Sequence, residues 1–220
     1  MPYIQKVKKY YYIIERRDCK RIYLKNLGAI SKEEAVTSLK EYNQLNQFKK
    51  KNPMPEGVFD IIYADPPWKY NDATPNRRIE NHYPTMDLVD ICKLSIPSAN
   101  NSILFLWSTP PQLESAFQVI KSWGFQYKTC AVWDKQRLGM GYYFRGQHEL
   151  LLISIKGKPG HPDTKDRLPS IITSIRTEHS KKPDLIYEVI EKMYPNHRYL
   201  ELFARKKIND KWTVWGNEIC

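Results

Sequence analysis

"IIYADPPWKY", residues 61–70, decides how the chain is read. An apolar, β-branched run is a buried strand. It stops on Asp65-Pro66-Pro67-Trp68, where neither proline can donate a backbone hydrogen bond. Each proline also holds the residue before it extended. The strand therefore ends in a rigid turn that projects a carboxylate, the Pro66 carbonyl and an aromatic ring from one edge of a sheet. Two acceptors beside a ring suit a planar base with an exocyclic amino group. The acceptors take the two N–H hydrogens and Trp68 stacks on the base. The N6 nitrogen of adenine is a poor nucleophile because its lone pair is delocalised into the ring. Acceptors on both hydrogens favour a pyramidal nitrogen that can attack. The most economical electrophile is the methyl of S-adenosylmethionine, whose sulfonium leaves without acid assistance. That chemistry needs no metal, catalytic cysteine or Ser-His-Asp set, and the sequence offers none with the right spacing.

Outward from this strand, apolar runs and helical patterns alternate. Strands are expected at 58–64, 103–107, 127–134, 148–156, 198–204 and 211–216, and helices at 87–92, 111–123 and 182–194. Short, nearly continuous apolar strands separated by helices indicate an α/β fold with a sheet covered on both faces. Long polar stretches at 70–84, 135–147 and 157–181 follow strands, the edge where open α/β sheets bind ligands.

Residues 1–48 have a different character. The runs 7–16 and 20–26 read as a hairpin, and Ser31 with Glu34 is a capping box that opens a helix striped by Ala35, Leu39 and Tyr42. The expected organisation is a basic sheet-plus-helix arm over 1–48, a Pro/Gly-rich linker over 49–57 and the α/β domain over 58–220. Charge follows the same division: of the net +11, residues 1–52 hold 13 Lys/Arg against 5 Asp/Glu. A cationic arm on a near-neutral body points to a polyanion, nucleic acid before an anionic membrane. Cys19, Cys92, Cys130 and Cys220 form no C-x-x-C pair, and no run is long enough for a bilayer span. The N-terminus lacks a secretory pattern, so a reducing cytoplasm is expected.

"DPPW" resembles motif IV of amino-group methyltransferases. Through "YPTM", "ILFLWST", "WGF", "IKG", "KPDLIYEVIE", "ELFAR" and "WGNE" the region 58–218 resembles the MT-A type N6-adenine methyltransferases, which include the eukaryotic messenger-RNA adenosine methylase and bacterial and phage relatives. The resemblance implies a circularly permuted Rossmann-like class I methyltransferase sheet, with the catalytic motif ahead of the cofactor motif, and S-adenosylmethionine as cofactor. Asp65, Pro66, Pro67 and Trp68 would hold the adenine, with Asp65 also near the cofactor. Tyr83 would reach the target pocket. Ser180 and Lys182 would meet the cofactor's ribose or methionine end, and Glu201, Phe203, Arg205, Asn217 and Glu218 its adenosine part. Two departures stand out: "ELFARKK" has no glycine turn, and His148 stands where a carboxylate is expected in the messenger-RNA enzyme.

Substrate choice rests on the arm, which resembles the arm-binding domain of phage-type integrases. Arg16, Arg17, Lys20, Arg21 and Lys25 cluster around the turn of a β-ribbon that suits the major groove. DNA is therefore expected ahead of RNA, with the base flipped or single-stranded. Arg77, Arg78, Arg137 and Arg145, together with His148, are candidates for gripping it. A catalytically silent nucleic-acid-binding subunit is the alternative from another class, and a homodimer or heterodimer is left open.

Overall fold

The structure is a computed structural model of the 220-residue chain that describes residues 2–17, 20–51, 53–69, 85–139, 141, 143–175 and 181–216, with the side chains of 16, 17, 20, 41 and 44–51 outside the description. The chain divides into two compact units, Met1–Pro53 and Met54–Cys220.

The first unit is an antiparallel sheet of β1 (Tyr3–Val7), β2 (Tyr10–Arg17) and β3 (Lys20–Gly28), with helix α1 (Lys32–Lys51) lying against β1 and β2. Register shifts beside Tyr12 and Ile14 leave Leu27 and Leu24 of β3 as extra residues. The capping box forms reciprocally: Ser31 N–H donates to Glu34 Oε2 at 2.8 Å, and Glu34 N–H donates to Ser31 Oγ at 3.1 Å. A good cap carries α1 through Lys51, so the first residues of the expected linker are helical.

The second unit holds a seven-stranded sheet. Its strands are β4 (Phe59–Ala64), β5 (Ser98–Ser108), β6 (Gln126–Asp134), β7 (His148–Lys156), β8 (Ile171–Thr173), β9 (Tyr199–Leu202) and β10 (Trp212–Trp215), in the spatial order β10-β9-β4-β5-β7-β6-β8. Parallel pairing joins β10, β9, β4 and β5, and also β6 and β8; β7 runs antiparallel between β5 and β6. Helices α2 (Leu88–Cys92), α3 (Leu113–Ser122) and α4 (Leu185–Met193) complete it. Alternation along the strands separates two faces. Ile61, Tyr63, Ile103, Phe105, Trp107, Tyr199 and Trp212 form one core with Ile186, Tyr187 and Ile190 of α4. On the other face α3 packs on β5 and β6 through Ala116, Val119 and Ile120. Full burial of Trp107, Trp212 and Phe105 contributes roughly 2–3 kcal/mol each to holding the layers together.

The antiparallel course of β7 changes the reading of one polar stretch. Residues 157–170 leave the sheet at the edge opposite the Asp65 turn, and the short strand β8, not expected from the sequence, carries the chain back. At that opposite edge Arg198 donates to both Asp60 oxygens at 3.2 Å, tying the start of β4 to the start of β9. Burial raises the Asp60 carboxyl, but the Arg198 guanidinium more than offsets it and holds it below its usual range. Among the described residues no helix is long and apolar enough to cross a membrane.

Candidate active site

From β4 the sheet grows toward β5 on one side, and from β9 it grows toward β10 on the other. The carboxyl ends of β4 and β9 therefore border the switch point of the sheet, where open α/β folds bind their ligands. Asp65 leaves β4 here, and Glu201 and Phe203 mark the end of β9.

Asp65 continues the face of Ile61 and Tyr63, which turns it toward the residues ahead of α4. Lys182 Nζ donates to Asp65 Oδ2 at 2.7 Å. The same ammonium lies 3.3 Å from Glu149 Oε2, and Lys135 Nζ lies 3.3 Å from Glu149 Oε1. Four charges alternate in sign along this line. The ammonium also sits 5.6 Å above the Trp107 ring. Burial pushes the Asp65 carboxyl up, opposed by Lys182, and the net position is above its ordinary value. Its side chain keeps 28% of its surface, so solvent still reaches the carboxylate. Burial alone would lower Lys182; the carboxylates of Asp65 and Glu149 outweigh it and hold the ammonium charged.

The two prolines behave differently from the sequence-based expectation. The Pro66 carbonyl accepts the Trp68 N–H at 2.8 Å, closing a three-residue turn, so one of its two lone pairs is already used. Pro67 O accepts Met86 N–H at 2.9 Å, which fastens the turn to the residues before α2. Trp68 is only 6% exposed and gives its indole N–H to Trp107 O at 3.2 Å. It braces the turn, and little of its ring is open for the stacking expected of it. Trp107 in turn donates Nε1–H to the Tyr63 hydroxyl at 2.7 Å.

Glu201 is buried at the end of β9. Its Oε1 accepts the Tyr187 hydroxyl at 2.8 Å, while Oε2 is buried and, among the described residues, has no partner. Burial pushes its carboxyl up to about 7, with the Asp65 charge adding to the rise. Phe203 adopts a left-handed backbone, φ 64°, which costs a non-glycine residue on the order of 1 kcal/mol. The turn made elsewhere by glycine is thus made here by Phe203, its ring 5.6 Å from Trp215. Ala204 N–H donates to Trp215 O at 3.0 Å, and a Cβ on Gly216 would come within 1.9 Å of Ala204 O. Only glycine fits that position.

The crevice thus gathers Asp65, Pro66, Lys182, Glu201 and Phe203, with exposed Arg205 close enough to act on the Asp65 charge. Tyr83, Arg77, Arg78, Ser180, Asn217 and Glu218 lie outside the described residues. Arg16 and Arg17 lie on β2 and Lys20 on β3, with side chains outside the description; Arg21 is exposed on β3. His148 is exposed, whereas its neighbour Glu149 faces Lys182. The carboxylate that meets Lys182 on this strand is thus Glu149, one position after His148. Both Leu151 and Leu152 are buried, so the unbroken apolar run of β7 does not by itself show which face turns inward.

A permuted Rossmann-like sheet with an Asp-Pro-Pro turn at its switch point and a carboxyl oxygen left open on the adjacent strand defines the α/β methyltransferase class. The MT-A70 family model matches residues 59–218, and the chain belongs to that family. The chain is 34% identical over 216 residues to the type II methyltransferase M.MunI of Mycoplasma sp, covering 85% of this chain and 92% of the relative. It is 30% identical over 173 residues to the N(6)-adenosine-methyltransferase MT-A70-like protein of Drosophila melanogaster, and 29% identical to the human N(6)-adenosine-methyltransferase catalytic subunit METTL3. Those two matches cover 74% of this chain but only 27% and 28% of the relatives' lengths.

Proposed function

We propose that the chain transfers a methyl group from S-adenosylmethionine to the N6 nitrogen of adenine in DNA, at the crevice between the ends of β4 and β9. One observation carries the reading: within the family-matched region Asp65, paired with Lys182 at 2.7 Å, stands at the switch point beside Glu201.

The crevice suits the cofactor because Glu201 Oε2 is a buried acceptor with no described partner, the kind of atom two ribose hydroxyls satisfy. Lys182, Glu201, Phe203 and Arg205 would hold the cofactor, which when bound supplies a sulfonium-activated methyl group. Asp65 does the work on the base. Lys182 occupies Oδ2, so Oδ1 is the atom left to accept one N6 hydrogen, and the second lone pair of Pro66 O accepts the other. Glu149, already 3.3 Å from the ammonium, can take Lys182 over when both Asp65 oxygens are needed. The raised affinity of Asp65 for protons also fits it to receive the proton that N6 sheds on methylation.

DNA is favoured over RNA for two reasons. Met54–Cys220 makes up about three quarters of the chain, so the 85% match to the type II methyltransferase reaches into the basic N-terminal unit. That unit presents Arg21 and Tyr23 on an exposed stretch of β3, with Tyr23 meeting Tyr12 edge-on at 5.4 Å. The cytoplasm is the setting that suits the unpaired thiols of Cys92 and Cys130.

The test is methyl transfer from labelled S-adenosylmethionine to duplex DNA, single-stranded DNA and RNA of matched sequence, beside Asp65→Ala. Label recovered as N6-methyladenine in DNA and lost in the variant is the expected result. Label in RNA alone would keep the chemistry and reverse the substrate. Cofactor binding without transfer to any of the three would indicate a silent subunit.

A further inference from the structure

Beyond the ends of β6 and β7, hydrogen bonds still link the two outgoing segments. Lys135 N–H donates to Gln147 O at 2.9 Å, Gly139 N–H to Gly146 O at 2.8 Å, and Arg145 Nε–H to Gly139 O at 3.2 Å. Asp134 Oδ1 accepts both Gln136 N–H and Gln147 Nε2–H at 2.9 Å, stiffening the base of this projection. A Cβ on Gly141 would fall 1.9 Å from Phe144 O, so the tip is tight enough to require glycine.

At this tip Tyr143 is 97% exposed and Phe144 89% exposed, more than any other described large hydrophobic residue. Aromatic rings carry the largest apolar surface of any side chain, and rings left in water forgo its burial. Two uncovered rings on a hydrogen-bonded base are placed to meet a partner surface. The chemistry of that surface follows from the charges. Between 135 and 147 the sequence has Lys135, Arg137 and Arg145 and no carboxylate. A partner with anionic groups and flat apolar faces is a nucleic acid. A second copy of this chain, with 35 Lys/Arg against 24 Asp/Glu, offers no excess of negative charge to meet them. The projection also stands on the site itself, since Lys135 at its base pairs with Glu149, which pairs with Lys182 and so reaches Asp65. An adenine that reacts at N6 must leave its stack, and the gap it leaves favours an inserted apolar side chain.

We infer that Tyr143 and Phe144 form a wedge that enters the base stack beside the target adenine, with Arg137 and Arg145 on the flanking phosphates. The inference rests on the N6-adenine reading of the crevice. Its test uses the full chain and a mixed-sequence DNA duplex with 2-aminopurine at several adenine positions, whose fluorescence rises when it unstacks. With S-adenosylhomocysteine present, the wild type should raise the fluorescence several-fold. Tyr143→Ala/Phe144→Ala should lose most of that rise and bind the duplex about 10-fold more weakly, with unchanged cofactor affinity, and Tyr143→Trp/Phe144→Trp should restore it. A full rise in the alanine variant would overturn the wedge, as would duplex binding by the wild type without unstacking. Halving of the solution mass in the alanine variant, read by light scattering, would also overturn it and assign the tip to self-association. Unstacking needs no methyl transfer, so failure of the N6 chemistry shows separately in the transfer assay.

Discussion

Two neighbouring strands end in carboxylates at the same crevice, and their surroundings are opposite. At the end of β4, Asp65 is partly exposed and answered by Lys182 at 2.7 Å. At the end of β9, Glu201 is buried, answered on one oxygen by a neutral hydroxyl and on the other by nothing described. The first carboxylate is poised to exchange one partner for another. The second is held in an environment that costs stability until a ligand supplies donors. Burial and pairing, rather than residue type, thus divide one crevice into a half suited to a reacting amino group and a half suited to a bound cofactor.

The largest expected effect breaks the first half. Asp65→Ala should lower kcat by about 10³-fold, the scale of removing one preorganised polar group. Cofactor affinity measured by calorimetry should stay within about 3-fold; a large loss there would show that the two halves are not separable.

Lys182→Met should act next most strongly. It leaves Asp65 and Glu149 facing each other without a cation, which raises the Asp65 carboxyl further. The acid limb of kcat/KM should move to higher pH. An unmoved limb would mean that Asp65 is not the group whose ionisation limits the rate.

Glu201→Gln sharpens the contrast because binding and stability should move in opposite directions. The folded Glu201 titrates at about 7 against an ordinary 4.5. Between those values the folded chain holds a proton that the unfolded chain has released, so stability falls as pH rises through that window. At pH 8 the glutamine variant should be more stable by on the order of 1–3 kcal/mol, seen as a higher Tm. Its cofactor affinity should fall about 10-fold, the scale of a lost charge-assisted hydrogen bond. In the wild type, cofactor affinity should climb as pH rises through about 7, as the accepting carboxylate forms; a flat profile would remove Glu201 from the cofactor half.

The smallest effect lies in the N-terminal unit. Arg21→Ala should reduce the slope of log affinity against log salt for duplex DNA by about 1, with a few-fold loss of affinity. An unchanged slope would place Arg21 away from phosphate.

Much of this arrangement is legible in the sequence, for local reasons. The Asp-Pro-Pro turn follows from proline's missing donor and restricted dihedrals. The Ser31–Glu34 box follows from two side chains three residues apart, and β7 from its unbroken apolar run. What escaped was non-local. The burial of Trp68 depends on a partner, the Trp107 carbonyl, 39 residues away. That Glu149 and not His148 turns inward is set by the neighbours of β7, strands β5 and β6. The three residues of β8 are too few to show a period of two.

By itself the amino-acid sequence determined the alternation of strands and helices, the rigid carboxylate turn after the first of them, and the excess of positive charge in the N-terminal region. These depend on backbone dihedrals, apolar periodicity and formal charge, which need no distant partner. The tertiary structure alone decided which strand lies beside which, and hence that Asp65 meets Lys182 across 117 residues while Glu201 keeps one oxygen unanswered. Pairing and burial are properties of the packed interior, and they give two similar carboxylates different work.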